Sequence, residues 1–504
     1  MAIRDNMLRV LVAGPALCAA CYAAQRGLAD VKVTTNTSID CSSIPSIAKD
    51  LFANCKNDEE RAIAAWYFVR RLHFHWPHIP TWDSIDLINS YGFALCGYQS
   101  MMFAQICNAG GIKTRTMHPK NHVIAEAFYG DAWHMFDCQV GWFAYRKDKS
   151  AVASCEEMKA DPMIITDAVS DGRASKPHFQ CSDSSKSGSE IAATAKVGGI
   201  PELPQRSLVI NLRRGESITR MWSNEGKSWS LPNEPKWTQP AHLCTKQAVD
   251  ANDPVNWPLW KPYAEITSQD PLRYGIKRTY GNGRMVYEPP LAGEALRDGL
   301  ARDGLQGVRA AYEDRKAPNL HPAEAGKPGS VVFVINLPYA GVDAWLDGTA
   351  LRKSDKDVLS ISAKAETGAW QEVWRAGKTG ELPLENISLK SAAYAQHQYL
   401  VKLEMQSGSD VADVGLNSIR FTTVFMNNIQ ALPYFAPGKN LIRVTAAEGA
   451  DLAKNKLTLE YAWEEDGKER KLESKVDKVP FETTVEVGGQ AMPRMKSVRL
   501  SVAP

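Results

Sequence analysis

A cysteine, a histidine and an aspartate, Cys96, His122 and Asp137, follow one another within a short stretch, 26 and then 15 residues apart. Attack on an amide carbonyl needs a nucleophile, a base that manages its proton, and a third group that holds the base in one tautomer. These three residues supply the set. The thiolate would form a thioester, the imidazole would protonate the leaving amine and then activate water or an acceptor amine, and the carboxylate would orient the ring. The oxyanion needs preorganised donors. The Cys96 backbone N–H is one, and Asn89 and Tyr91 in the preceding segment are candidates for another. Tyr98 and Asn121 are candidate substrate contacts.

The pattern predicts helices over Ile44–Phe52 and Asp58–Leu72, the second opened by Asn57 with Glu60 three positions on, a capping-box spacing. Its inner face carries Ile63, Trp66 and Val69. A further helix is expected from Cys96 to Ala109, stopped by Gly110-Gly111. This places the thiol in the first turn, where open N–H groups and the positive end of the dipole favour the thiolate. His122 to Tyr129 reads as a strand, Gly130-Asp131 as a two-residue hairpin loop, and Ala132 to Asp137 as the returning strand. Pairing Tyr129 with Ala132 sets Ile124 against Asp137 and His122 against Gln139, so His122 and Asp137 become diagonal neighbours on one face. His134 falls on the opposite face and Glu126 nearer the turn, as a rim residue. His73 and His75 share a strand face, but no carboxylate or thiol stands at metal-ligand spacing, and neither metal nor cofactor is expected.

With 59 basic and 57 acidic side chains among 504 residues, the net charge of +2 gives no case for nucleic acid. The first 29 residues have the make-up of a secretory signal peptide: Arg4 and Arg9, an apolar run from Val10 to Ala24, and small residues before a cut near Ala24 or Ala29. A lipoprotein reading through Cys21 fits less well, because Cys18 stands where leucine is usual. No later run is long enough to span a bilayer. The expectation is an exported protein, secreted or periplasmic, and in an oxidising compartment Cys41 with Cys55 or Cys155 with Cys181 would close short loops. The organisation expected after residue 30 is a catalytic domain over 30–170, a linker over 171–205, a Trp-rich mixed region over 206–325, a β-sandwich over 326–450 and a last β domain over 451–504. In the mixed region, Trp222, Trp229, Trp237, Trp257 and Trp260 are either core anchors or, with Arg213, Arg214 and Arg220, a sugar platform. Ser207 to Leu212 reads as a strand and Glu294 to Arg315 as an amphipathic helix.

Gly92-Phe-Ala-Leu-Cys96-Gly-Tyr98, the helix ending in Gly110-Gly111-Ile112, the strand with Asn121-His122 and the strand Trp133-His-Met-Phe-Asp137 resemble the transglutaminase-like superfamily of papain-type cysteine enzymes. The resemblance covers about residues 45–160. It implies an α+β transglutaminase-like (papain-like) N-terminal domain followed by all-β sandwich domains, with Cys96, His122 and Asp137 as the triad. Asn121 departs from the small residue expected before the histidine. The activity implied is acyl transfer or hydrolysis at amide bonds of an extracellular or periplasmic polymer, protein or peptidoglycan. Two other classes stay open. One is a polysaccharide-processing enzyme on the same scaffold, for instance a lyase on a uronate-containing polymer, with His122 or Tyr98 abstracting a proton and Asn121 or an arginine neutralising the carboxylate. The other is a non-catalytic carbohydrate- or protein-binding protein with a relic site.

Overall fold

Helices at the N-terminal end begin where the sequence supplies caps. Ser43 opens α1 (Ile44–Phe52) with a reciprocal capping box to Ser46. Asn57 opens α2 (Asp58–Leu72) by accepting from Glu60 N at 2.8 Å, while the Glu60 carboxylate takes the Lys56 N–H at 2.6 Å. Asp83 caps α3 (Ser84–Ser90), accepting from Ile85 N and Asp86 N. The fourth helix, α4 (Cys96–Ala109), stops at Gly110, whose bare Cα lets the Phe52 ring of α1 approach to where a Cβ would sit only 2.3 Å away. Gly111 follows at φ +87°, a left-handed position that favours glycine.

The computed structural model describes residues 27–75, 81–119, 122–139, 143–166, 168, 171–172, 196–198, 205–229, 280–489 and 492–504. Most of the expected signal segment and linker, the residues Asn121, Cys181, Trp237, Trp257 and Trp260, and the histidine-proline run after His75 lie outside the described residues.

Helix α4 packs on a four-stranded antiparallel sheet whose order is Ala132–Phe136, Ile124–Tyr129, Lys113–His118, Lys196–Gly198. Phe103 of α4 meets Phe136 at 5.3 Å between ring centroids, and Ala125 and Ala127 complete that buried layer. Met117, Ile124 and Met135 form a separate small core with Cys155, Met158 and Ile164.

The rest is β-rich, with several antiparallel sheets. Leu300–Gln306, Gly329–Asn336, Gln398–Gln406, Val358–Ala365 and Gln371–Arg375 make a five-stranded sheet. It faces a ten-stranded sheet, with Phe333 against Phe421 at 5.3 Å and the Tyr399 hydroxyl on Thr423 Oγ1 at 2.8 Å, which gives the layers a sandwich core. Glu216–Met221 and Gly281–Tyr287 join Val414–Asn427 and Arg494–Val502 in that ten-stranded sheet. Segments expected as three separate pieces, 206–325, 326–450 and 451–504, therefore share a sheet. Turn signals locate strands along the chain but carry no information on which strands pair. Lys32–Thr35 also leaves the N-terminal part to pair with Gly438–Thr445.

Two expected elements differ. The helix expected over Glu294 to Arg315 is a short 3-10 turn (Glu294–Gly299), two strands (Leu300–Gln306 and Val308–Ala310) and one helical turn (Ala311–Asp314). Gly299, Gly304 and Gly307 interrupt every turn of the pattern, Gly307 at φ +60°, and the apolar residues pair with Gly329–Asn336 instead. Ser207 to Leu212 is extended but holds only a bridge from Leu212 to Leu28, with Leu208 N on Ser42 O. The Cys41–Cys55 pairing does not form: both are free thiols, Cys41 buried, and Cys155 is a buried free thiol as well. No described helix is long and apolar enough to cross a membrane.

Candidate active site

The N-cap residue of α4, Leu95, offers no side-chain hydrogen bond to the first turn, so the N–H groups there are not claimed by a cap. Cys96 is the first residue of that turn and half-buried. Gly97 leaves ordinary contact room, 3.9 Å from an ideal Cβ to Val123 Cγ2, and Ser100 Oγ donates to the Val123 carbonyl at 3.0 Å. These two contacts seat the residue after His122 against the start of the helix.

The hairpin supplies the second positioning element. Gly130 and Asp131 take φ +53° and +59°, the two left-handed positions of a tight primed turn. The register is Tyr129 opposite Ala132 through Ala125 opposite Phe136. Beyond that last pair, with His122 three residues before Ala125 and Asp137 one after Phe136, the two side chains meet: His122 Nε2 lies 2.7 Å from Asp137 Oδ2. Asp137 is buried and fixed at both ends. Its Oδ1 accepts from Gln139 N at 3.0 Å, and its carbonyl accepts from the Trp66 indole N–H at 2.8 Å.

The Cys96 side chain is the other group that acts on the His122 ring. Nε2 is occupied by Asp137. Burial pulls the His122 pKa down, but the Asp137 charge, its hydrogen bond and the contact with Cys96 override this and raise it from 6.5 to about 10. The ring is an imidazolium at neutral pH. Cys96 at a helix N-terminus with the His122–Asp137 pair acting beside it is a residue set that can attack a carbonyl and return a proton to a leaving group.

No protein-family model matches the chain, and no curated protein matches it. The chemistry of the site rests on its own geometry.

The other sequence-predicted residues are not all at this site. Asn89 is buried and spends both amide hydrogens on the carbonyls of Cys41 (2.8 Å) and Ile85 (3.0 Å), so it has none left for an oxyanion. Tyr91 is fully buried, its ring against Trp229 and its hydroxyl 3.4 Å from the Trp229 carbonyl. Tyr98 lies under Trp82 at 4.2 Å between centroids, and burial raises its pKa. Trp82 itself is 47% exposed, which makes this aromatic pair part of the surface beside the first turn of α4.

Glu126 is not a rim residue. It is buried, bound by Arg115 Nε and Nη2 at 2.7 Å each, and accepts from Cys155 N at 2.8 Å. His134 points to the other side of the hairpin, stacked on Tyr129 at 3.7 Å with its ring nitrogens on the carbonyls of Val152 and Tyr129. His73 is buried with Nε2 2.8 Å from the Leu87 carbonyl, and burial lowers its pKa to about 4. Among the described residues no group of three or more His, Cys, Asp or Glu is placed to hold a metal ion.

The sugar platform does not form from its described members. Arg213 is buried and paired with Glu216 at 2.7 Å, Arg214 is paired with Asp298 at 2.8 Å, and Trp222 is buried in the core. Trp66, by contrast, was legible only as a core residue on the inner face of α2. The signal that marks it is chemical: a buried indole N–H must find an acceptor, and here that acceptor is the backbone of Asp137.

Proposed function

We propose that this protein is an exported transglutaminase-like thiol enzyme, cleaving or transferring the acyl group of an amide in a protein or cell-wall polymer. The observation that carries the reading is the pairing of Asp137 Oδ2 with His122 Nε2 at 2.7 Å, with Cys96 in the first turn of α4 acting on the same ring. In this scheme Cys96, its proton already carried by His122, attacks the carbonyl carbon as the thiolate. Unclaimed N–H groups of the first turn of α4 bind the oxyanion. Protonated His122 gives its proton to the leaving amine, the thioester forms, and the neutral ring then takes a proton from water or from an acceptor amine. Asp137 holds the ring throughout, and Trp66 and the Gln139 N–H hold Asp137.

The competing reading, elimination on an acidic polysaccharide, requires a neutral base and an exposed cation for the uronate. His122 is protonated at neutral pH, Tyr98 is stacked and raised, and the candidate arginines are buried or ion-paired. The test is Cys96→Ala against wild type on peptide amides, with and without an amine acceptor, beside a panel of acidic polysaccharides. Amide turnover that disappears with Cys96→Ala, together with loss of iodoacetamide labelling at that position, supports the proposal. Turnover retained in Cys96→Ala, or unsaturated sugar ends released without need of the thiol, would overturn it.

A further inference from the structure

Strands Leu457–Glu465, Arg494–Val502, Glu216–Met221 and Gly281–Tyr287 lie side by side in the ten-stranded sheet. Leu459, Leu500, Ile218 and Met285 stand opposite one another across them and are buried in the core. Successive side chains of a strand point to opposite faces, so the alternate residues stand on the other face of the sheet. There Thr458, Ser501 and Ser217 make one cross-strand row, and Glu460, Arg499, Thr219 and Arg284 make the next. The two rows border a groove of about 720 Å³, which Arg420 and Glu288 border as well.

A sheet face carrying ion pairs is ordinarily a solvated surface, and two observations set this one apart. Ser217 is only 8% exposed, yet it lines the groove and its hydroxyl finds no hydrogen-bond partner among the described residues. The hydroxyls of Thr219, Thr458 and Ser501 have none there either. Each of the four can both donate and accept, so together they make a floor open to hydrogen bonding along its length. The second observation is that the charges at the groove cancel: Arg284 meets Glu225 at 2.6 Å, Arg420 meets Glu288 at 2.5 Å and Arg499 meets Glu460 at 3.1 Å. Arg284 and Arg499 hydrogen-bond their carboxylates through one terminal nitrogen each, and a guanidinium has five N–H donors, so both keep donors to spare.

The nature of the floor selects the occupant. Every strand beneath the groove has a hydrogen-bonded neighbour on both sides, so an extended peptide finds no free edge to join. The lining is dominated by hydroxyl and charged side chains, with few apolar groups to receive a peptide's side chains. Balanced charge gives no attraction for a polyanion. A chain that offers hydroxyls along its whole length and carries no charge matches all three conditions. We propose that this groove binds an uncharged polysaccharide, with Ser217, Thr219, Thr458 and Ser501 exchanging hydrogen bonds with sugar hydroxyls and Arg284 and Arg499 donating to them. The site is independent of the chemistry proposed at Cys96.

Native affinity electrophoresis of the whole protein tests this, in gels containing hydroxyethylcellulose, galactomannan or xyloglucan, beside one containing polygalacturonate. Retardation is expected in at least one of the three neutral gels, and to the same degree in Cys96→Ala as in wild type. The double variant Arg284→Ala/Arg499→Ala alters exposed side chains only and should bind about tenfold more weakly, the scale of one or two lost hydrogen bonds. Ser217→Val, which removes the most buried of the four hydroxyls, should weaken binding similarly. Should Ser217→Val fail to fold, the double arginine variant decides. No retardation in any neutral gel, retardation by polygalacturonate alone, binding that the arginine variant leaves unchanged, or binding that Cys96→Ala abolishes would each overturn the proposal.

Discussion

Replacing Asp137 with Asn removes one charge from the relay while keeping its shape. The structure sets the size of the effect. His122 moves from 6.5 to about 10 against the pull of burial, a preference for the imidazolium on the order of 5 kcal/mol. Burial persists in Asp137→Asn and the main opposing influence does not, so the ring should fall below 6.5 and be neutral at physiological pH. The stability linkage has a definite sign. Because the folded value lies above the unfolded one, the contribution of the pair is complete below pH 6.5 and is lost as pH rises through about 10. Two assays report on this. Alkylation of Cys96 by iodoacetamide, mapped by mass spectrometry over a range of pH, should be slower in Asp137→Asn than in wild type, since the positive charge on the neighbouring His122 ring is gone. Turnover on any amide substrate found should fall roughly 10²- to 10⁴-fold, the usual scale for general acid–base catalysis. Identical pH profiles of alkylation in the two proteins, or a His122 ring resonance titrating near 6.5 in wild type, would refute the reasoning.

Three further outcomes are expected. Acid should destabilise the fold through His73: its folded pKa of about 4 lies below the unfolded 6.5, so roughly 3 kcal/mol present above pH 6.5 is lost as pH falls to about 4, and denaturant melts of His73→Phe should show a flatter acid limb. Trp66→Phe keeps a ring against Phe143 (4.9 Å between centroids in wild type) but strands the Asp137 carbonyl, and urea unfolding should show a loss of about 1–3 kcal/mol. Expression with an export pathway tests the proposed leader: any cut should fall before Gly27, because Leu28 is buried and exchanges both backbone hydrogen bonds with Leu212, and an intact mass starting after Ala29 would contradict this.

The site was more legible in the sequence than the architecture around it, and the reason is the range of the interactions involved. Cys96 at a helix start and the Gly130-Asp131 hairpin are set by residues a few positions apart, so caps, glycines and alternation suffice to locate them. Continuing the hairpin register gives the His122–Asp137 pairing without any tertiary information. Glu126 escaped the same logic because its partners, Arg115 on the neighbouring strand and Cys155 on a later helix, are non-local. The same limit explains Asn89, whose amide is consumed by Cys41, 48 residues earlier in the chain. The β-rich part shows the limit most clearly. Individual strands such as Val358–Ala365 and Gln398–Gln406 stand close to where alternation and turns put them, but pairing between Lys32–Thr35 and Gly438–Thr445 has no local signature.

That non-local pairing bears on how the site is held. Asn428, fully buried after the long strand Val414–Asn427, donates its backbone N–H to the Asn89 carbonyl at 2.6 Å and its amide to the Leu72 carbonyl at 3.1 Å. It thereby closes the C-terminal ends of both α2 and α3. Asp86 on α3 receives Arg206 at 2.9 Å and His397 at 3.4 Å, one from just after the expected linker and one from beside the five-stranded sheet. Burial alone would raise the Asp86 pKa, and His397 and Arg206 beside it hold it below the usual carboxylate value. Asn428, Asn89 and Asp86 are buried, and a buried polar group deprived of its partner costs about 1–3 kcal/mol. Helix α3 leads within six residues to Cys96, so the geometry at the thiol depends on contacts made by the β-rich half. The β sheets are therefore part of the scaffold that sets the relay, rather than modules appended to a self-sufficient catalytic domain.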